Sequence, residues 1–552
     1  MTPTPAGPGR SDRGGVTPAV FTVSADRRSV LDRAHRGDIL GALGRIPSHD
    51  TGPRRSRRGH AAALLAVMGP GVVVLAADND AGGISTYAQA GQDFGLRFAW
   101  LLLVLAVVLL VNQEMVGRLG AVTGAGHARL IYERFGRRWG AFALGDLLAV
   151  NFLIIVTEFT GVGFGLGYFG VSRYVSVPVA ALMLIALPAS GSFRRWERAV
   201  YVLVAASLAA VPVAVLAHHA GPLPALTAPR RGPAEGGALV VIALIGTTVA
   251  PWQLFFQQSS VVDKRITARW LGYERADTII GTLLFAGGAV AVLAACALAF
   301  SGTSWHGAFA DAGTVAAGLG HRSGWAGALF AVALVNGSVL GAGAVTLSAS
   351  YAIGDVTGTR HSLHRAWREA RVFHGSYAAL VALAAVVTLI PGVPLGIVTT
   401  GVQALAGVLL PSALVFLLLL CNDRAVLGPW VNPRWLNIIA AAITVIFLVL
   451  SALLVAGTLF PHLAASWRMT ALAVLAAGIL GAALGTRLCP DGPPGPPHSR
   501  RAGPPAWTMP PIETLPPPPA SRARTLGLIA LRAYLLLAAA VLNIKVIRLI
   551  TG

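Results

Sequence analysis

Gly69-Pro70-Gly71-Val72-Val73-Val74-Leu75-Ala76-Ala77-Asp78-Asn79-Asp80-Ala81-Gly82-Gly83 runs apolar as far as Ala77, meets two acids and an amide, and passes two glycines before apolar sequence resumes. The stretch lies inside a block, 61–90, long enough to cross a bilayer, since about 20 apolar residues span roughly 30 Å of hydrocarbon. An Asp at the centre of such a helix costs about 2.5 to 3.5 kcal/mol, and each Gly about 1 kcal/mol relative to Ala. A helix carrying two of each is better broken than whole. A second block repeats the feature. In Gly246-Thr247-Thr248-Val249-Ala250-Pro251-Trp252-Gln253 the proline has no N–H and clashes with the preceding turn, which frees carbonyls near 247.

The rest of the chain sets these breaks in a membrane. Of 552 residues, 55% are hydrophobic and 12% charged, with mean hydropathy +0.68; soluble domains carry about 25% charged residues. That excludes an ordinary soluble enzyme, a disordered chain and a secreted disulfide scaffold. Apolar blocks near 61–90, 98–117, 140–168, 174–190, 199–217, 237–260, 277–301, 324–352, 373–391, 397–421, 435–457 and 468–487 predict an all-α polytopic membrane protein with about twelve spans. Its partners are the lipid bilayer and a transported solute. The net charge of +20 would suggest nucleic acid in a soluble protein, but here the arginines lie between apolar blocks and no nucleic-acid partner is expected. Cys296, Cys421 and Cys489 are too few and too scattered for a disulfide framework.

Basic residues fix the expected topology. With the N-terminus inside, the cytoplasmic loops hold Arg118, Arg129, Arg134, Arg137, Arg138, Arg194, Arg195, Arg198, Lys264, Arg265, Arg269, Arg275, Arg360, Arg365, Arg368, Arg371, Arg424 and Arg434. The opposite loops hold only Arg97, Arg173, Arg230, Arg231 and Arg322. The positive-inside bias therefore predicts a plasma-membrane, multi-pass protein with a cytoplasmic N-terminus. Residues 1–60 read as a basic flexible cytoplasmic arm and 61–487 as the transmembrane domain. A Pro-rich linker, 488–524, leads to a C-terminal apolar helix, 525–552, whose Arg532, Lys545 and Arg548 favour an interfacial position over a thirteenth span. Nothing speaks to oligomeric state beyond a default of monomer.

The two breaks fall in spans 1 and 6, so each opens a group of five helices, about 61–217 and 237–421. An odd number per group inverts the second relative to the first. Paired interruptions in two inverted halves point to a secondary transporter's central site, because unwound backbone is tolerated at that depth only where it is buried or lines a cavity. Carbonyl oxygens and Asp80 suit a hard cation such as Mg²⁺, Ca²⁺ or Mn²⁺. Neither break carries Met, Cys or His. Two neighbouring acids would repel a substrate carboxylate.

These residues resemble the NRAMP family of divalent-metal transporters. Gly69-Pro70-Gly71, Asp80, Thr86 and Gln92-Asp93-Phe94-Gly95 follow its first helix, and Thr157-Glu158-Phe159-Thr160-Gly161 resembles its third. Ala250-Pro251-Trp252 stands where the family has Met-Pro-His, while Gln403, Pro411 and Asn422-Asp423-Arg424-Ala425-Val426-Leu427-Gly428 resemble its tenth helix and exit. The resemblance implies a LeuT-type 5+5 inverted repeat, no enzymatic activity and no cofactor beyond the transported metal. It implies Asp80 as direct ligand, with the carbonyls of Ala77 and Thr247 and the side chain of Gln403 contributing. Ala250 and Gly83 would line the cavity, and Trp252, Gln257 and Glu158 would stand in a surrounding layer, to which Asp78 and Asn79 add polarity beyond what the resemblance covers. Asp78 and Asn79 either hold a hydrated ion through water or face an outer vestibule.

Departures from the family pattern carry further expectations. Gly83 replaces a second carboxamide ligand, Ala81 a proline, and Ala250 the methionine whose soft sulfur favours Mn²⁺ and Fe²⁺. Trp252 and Gln257 replace histidines and Ile155 an acid, groups that resemble the family's proton path. The pattern is similar to the prokaryotic NRAMP-related magnesium transporters, so the reading is Mg²⁺ uptake, with Mn²⁺ as a second substrate, by alternating access without proton coupling. A proton-coupled Mn²⁺/Fe²⁺ symporter is the alternative within the family. A sodium-coupled importer of a small organic solute is the alternative from another class.

Overall fold

In this computed structural model, the structure describes residues 33–50, 52–217, 237–392, 395–459, 467–488, 507–518 and 524–534. A short hairpin, β1 (Ile39–Leu40) and β2 (Arg45–Ile46), precedes α1 (Arg57–Val67), α2 (Pro70–Ala77) and α3 (Ala81–Phe94). The first half continues through α4 (Ala99–Thr123), α5 (His127–Phe135), α6 (Arg137–Tyr168), α7 (Arg173–Ala189), α8 (Phe193–Ser207) and α9 (Ala210–Ala217). The second half holds α10 (Gly237–Thr248), α11 (Pro251–Asp263), α12 (Leu271–Phe300), α13 (Ala312–Arg322), α14 (Gly324–Thr357), α15 (Arg371–Leu389) and α16 (Leu395–Cys421). Then follow α17 (Arg424–Leu427), α18 (Arg434–Leu459) and α19 (Trp467–Arg487).

Ten helical stretches among the described residues are long and apolar enough to cross a membrane, or eleven if α1 and α2, bent by 53°, count as one span. One of the ten, Ala81–Thr123, joins α3 to α4 across the turn at Gly95, and α7 is a shorter apolar helix. With that stretch divided at Gly95 and α7 included, the described helices follow the order of the expected apolar blocks. The symmetry expected of inverted halves is visible in the packing. The long α6 and α14, third and eighth in their order, lie against each other along their length, while α12 packs on α2, α3 and α4. Small residues allow the closest crossings. A Cβ on Gly246 would meet backbone atoms of Gln403 and Gly407, and one on Gly91 would meet the Leu293 carbonyl.

Two parts of the chain are more ordered than their composition suggests. Of the arm expected over 1–60, residues 1–32 and 51 lie outside the described residues. From Arg33 onward it is folded onto the bundle, with Ile39 and Ile46 buried beside Val67, Val261 and Ile266. Its low hydropathy hides this, because the contacts are made to partners more than two hundred residues away: Arg265 donates to the carbonyls of Ala34 at 2.8 Å and Asp38 at 3.0 Å. In the Pro-rich linker, Trp507 packs on Gly428 and the carbonyl of Pro516 accepts from Arg134 at 2.7 Å. Of the C-terminal apolar helix only 524–534 is described, with Leu531 and Tyr534 buried and the Tyr534 hydroxyl 2.9 Å from Ser451. Lys545 and Arg548 lie outside the described residues.

Candidate metal site

The first break separates α2 from α3. α2 ends at Ala77, with Asp78 still helical in its dihedrals and the Asn79 N–H reaching back only three residues, to the Ala76 carbonyl at 3.3 Å, and α3 begins on Asp80, which is extended and caps the new helix: its Oδ1 accepts from the Gly83 N–H at 2.6 Å. The Ala81 N–H, which would have bonded the Ala77 carbonyl in a continuous helix, donates instead to Glu158 Oε2 on α6 at 3.1 Å. The Ala77 carbonyl is thus released. At the second break α10 ends at Thr248 and α11 starts at Pro251, with Ala250 extended between them. Proline has no N–H for the Thr247 carbonyl, which is released in the same way. Two half-helices, α2 and α10, therefore turn their carbonyl ends toward the breaks, and the negative end of a helix dipole favours a cation.

Side chains tie the two breaks together. Gln253 on α11 donates through Nε2 to Asp78 Oδ1 and, at 3.1 Å, to the Thr248 carbonyl. Gln403 on α16 places its carboxamide directly against Gly82, where a Cβ would collide with Nε2. Close approach from the other side is permitted by glycines of α14: a Cβ on Gly337 would meet the Asn79 carbonyl, and one on Gly341 would stand 2.7 Å from the Asp80 Cβ and 3.1 Å from the Glu158 Cδ. The Asp80 and Glu158 side chains therefore meet over Gly341.

The electrostatics are one-sided. Asp78, Asp80 and Glu158 are 0%, 3% and 0% exposed. Among the described residues no ion pair involves any of them. Buried charges are normally paired or coordinate metals. Around them is a group of buried polar atoms without a protein hydrogen-bond partner: Asp78 Oδ2, Asn79 Oδ1, Glu158 Oε1, the hydroxyls of Thr247, Thr248 and Tyr87, and the Gln403 Nε2. Such atoms are rare singly and call for a ligand or water when clustered. Acceptors suit a cation directly, whereas the amide nitrogen and hydroxyls suit water molecules on a cation. No group of three or more His, Cys, Asp or Glu with metal-ligand spacing occurs among the described residues, so a metal here relies on backbone carbonyls, amides and these acids.

The structure brings Asp78, Asp80, Glu158 and Gln403 together at the first break, where the Asn79 amide instead turns to α12 and donates to the Phe285 carbonyl at 3.3 Å, and Thr247 and Ala250 lie at the second. Asp78 faces the interior and not an outer vestibule. Three expected residues are placed differently. Gly83 borders no open space, because a Cβ there would stand 2.7 Å from the Asp78 carbonyl and 3.2 Å from the Tyr87 ring; Tyr87 fills the volume a carboxamide would need. Trp252 is packed against Phe256, ring centroids 6.3 Å apart, and only its carbonyl is engaged, by Ser348. Gln257 donates to Glu274 at 2.8 Å and Thr278 at 3.1 Å, on α12. Gln253 and Tyr87 lie at the breaks without having been singled out from the sequence; the polar turn around Pro251 was the available signal for the first.

With this geometry in view, comparison decides the family. Residues 71–457 match the family described as natural resistance-associated macrophage protein-like. The chain belongs to the Nramp family. Among individual Nramp relatives, the divalent metal cation transporter MntH of Burkholderia ambifaria is 26% identical over 451 residues, covering 77% of this chain and 95% of that one. MntH of Verminephrobacter eiseniae is 31% identical over 231 residues, 39% of this chain and about half, 49%, of that relative. These relatives are transporters, not enzymes. The solved manganese transporter of Eremococcus coleocola, 20% identical, superposes with a TM-score of 0.55 over 79% of this chain and 97% of its own. That likeness supports the fold expected from the broken helices, an inverted-repeat membrane transporter.

Proposed function

We propose that this Nramp protein is a divalent-metal importer that carries Mg²⁺, and Mn²⁺ as a second substrate, by alternating access and without proton symport. The observation that carries the reading is the donor set at the breaks: three buried carboxyl groups with no cationic partner, two freed carbonyls and orphaned amide and hydroxyl groups, with neither sulfur nor imidazole among them. Hard oxygen donors favour Mg²⁺ and Mn²⁺ over softer transition metals, and Mg²⁺ keeps several waters when it binds. Ala250 stands where a bulky soft ligand would otherwise crowd those waters. Asp80 is the direct ligand, supported by the Ala77 and Thr247 carbonyls, with Asp78 and Gln403 holding the ion or its water. The face that bears residues 33–46, Lys264, Arg265 and Arg360 is cytoplasmic, because it concentrates the basic loops.

Purified protein in liposomes, with one internal dye for Mg²⁺ and another for pH, tests this. Mg²⁺ entry without acidification is the expected result. Mn²⁺ entry with acidification and no Mg²⁺ entry would establish the proton-coupled symporter instead.

A further inference from the structure

Away from the broken helices, α4, α12 and α18 enclose a crevice of about 630 Å³ on the flank of the bundle. Its wall on α4 is a single stripe. Val107, Val111, Glu114 and Arg118 recur at helical spacing, so they lie one above another on one face. The stripe runs about 16 Å along the helix axis, half of the roughly 30 Å of hydrocarbon and so the depth of one leaflet. α12 adds Arg275 and Ile279, one turn apart, and α18 adds Trp435 and Ile439 at the same spacing. Val107, Ile279, Trp435 and Ile439 are apolar and exposed, as side chains facing lipid are.

All the charge in the crevice collects at one end. Arg118, 3% exposed, is fully engaged: it donates to the Trp430 carbonyl, to Asn432 Oδ1 at 2.5 Å and to Glu114 at 3.3 Å. Arg275 is different. Its Nε and Nη2 both donate to Glu114 Oε1, at 3.0 and 2.7 Å, and its Nη1 has no protein partner among the described residues. The side chain is 47% exposed. Glu114 is the only acid in the lining, because Glu274, beside Arg275, turns inward and accepts from Gln257 at 2.8 Å. One carboxylate against two guanidinium groups leaves a positive charge at the head of an otherwise apolar crevice.

We propose that this crevice binds one anionic phospholipid, with an acyl chain along the α4 stripe and the headgroup phosphate on Arg275. A guanidinium offers its N–H groups in a plane that matches phosphate oxygens, and an interfacial Trp435 sits at the depth where headgroup meets chain. A free anion would have no use for the apolar length. A bare hydrocarbon chain would leave the spare N–H and its charge facing an apolar medium. A zwitterionic headgroup brings its own ammonium and so gains less from the extra positive charge. The geometry is independent of what the protein transports.

Full-length protein, delipidated in detergent, is titrated with phospholipid brominated on its acyl chains, which quenches nearby tryptophan. The part of the quenching that disappears in Trp435→Phe belongs to the crevice. In the parent, brominated phosphatidylglycerol should quench that part at about fivefold lower mole fraction than brominated phosphatidylcholine. Arg275→Gln should bring the two midpoints together, and Arg275→Lys, which keeps the charge, should hold them apart. If Arg275→Gln does not fold, the two midpoints of the parent decide alone. Equal midpoints in the parent overturn the proposal and leave an ordinary lipid-facing surface. Quenching of Trp435 by neither lipid overturns it as well, since another part of the protein or a second copy then covers the crevice. Midpoints that stay apart in Arg275→Gln overturn the placing of the headgroup on Arg275.

Discussion

The main-chain N–H of Ala81 donates to Glu158 across 3.1 Å, so the third span of the first half supplies an acceptor to the opening turn of α3. An unpaired carboxyl within a membrane helix is expensive, and this contact gives it a use: it fixes where α3 begins and hence where Asp80 points. Glu158→Ala strands a buried N–H and should destabilise the protein by about 1 to 3 kcal/mol, read as a lower melting temperature in detergent. Glu158→Gln keeps an acceptor and should melt close to wild type. Equal melting of the Ala variant and wild type would show that the bond does not hold the break.

Gly82 and Gln403 make a second coupled pair. Any side chain at 82 must push the Gln403 carboxamide aside, because its Cβ would occupy the amide's place. Gln403 is a flexible side chain, so the helix survives, but the carboxamide leaves the break. Gly82→Ala should therefore lower Mg²⁺ uptake about as much as Gln403→Ala, and the double variant should be no worse than either. Residues in contact couple non-additively, by roughly 0.5 to 3 kcal/mol. Additive losses in the uptake rates of the three variants would separate the two residues.

What the sequence displayed and what it hid divide along physical lines. Asp78, Asp80, Gly82 and Pro251 announce the breaks because each is costly in a membrane helix by its own chemistry. The spans follow from hydropathy. The grip on the breaks was hidden, since Gln253 reaching Asp78 joins residues 175 apart, and the glycines at 337 and 341 matter only because of what they face. Asp277, Lys264 and Glu197 sit near span ends, where charged residues ordinarily read as solvated, and only folding shows them buried together. The hairpin at 39–46 was unreadable for the converse reason: its Gly and Arg content signals a loose arm, and its order comes from the bundle it caps.

His361 gives a pH dependence on the face that carries residues 33–46, its ring 5.9 Å from that of His35. Its Nδ1 lies 2.7 Å from the Thr359 carbonyl and its Nε2 3.1 Å from Asp355 Oδ1, so both nitrogens face acceptors. Burial pushes its pKa down, but the hydrogen bond and charge of Asp355, with the Thr359 carbonyl and Asp263, outweigh it, and the folded value is raised above 6.5. A raised folded value stabilises fully below about pH 6.5 and loses that stabilisation as pH rises through the folded value. His364 runs the other way, lowered by burial and Arg265 against the pull of Asp263. The comparison with His361→Gln isolates the first. Between pH 6 and 9 the melting temperature of wild type should fall relative to that of the Gln variant; parallel curves would mean that the imidazolium is not stabilised.

Ala250 offers the sharpest test of selectivity. It is the extended cap of α11, buried at the second break where α10 ends. Ala250→Met adds a polarizable thioether and removes room for ion-bound water. Softer ions gain a donor they prefer, whereas Mg²⁺ loses hydration space. The Mn²⁺-to-Mg²⁺ uptake ratio in liposomes should rise by about tenfold, corresponding to roughly 1.4 kcal/mol of differential binding, with Cd²⁺ following Mn²⁺. Asp80→Ala in the same assay should abolish uptake of all three ions, because it removes the proposed direct ligand and not a selectivity element. An unchanged ratio in Ala250→Met, with Asp80→Ala inactive, would place the ion at Asp80 but away from α11, and hydration space would no longer account for the choice of metal.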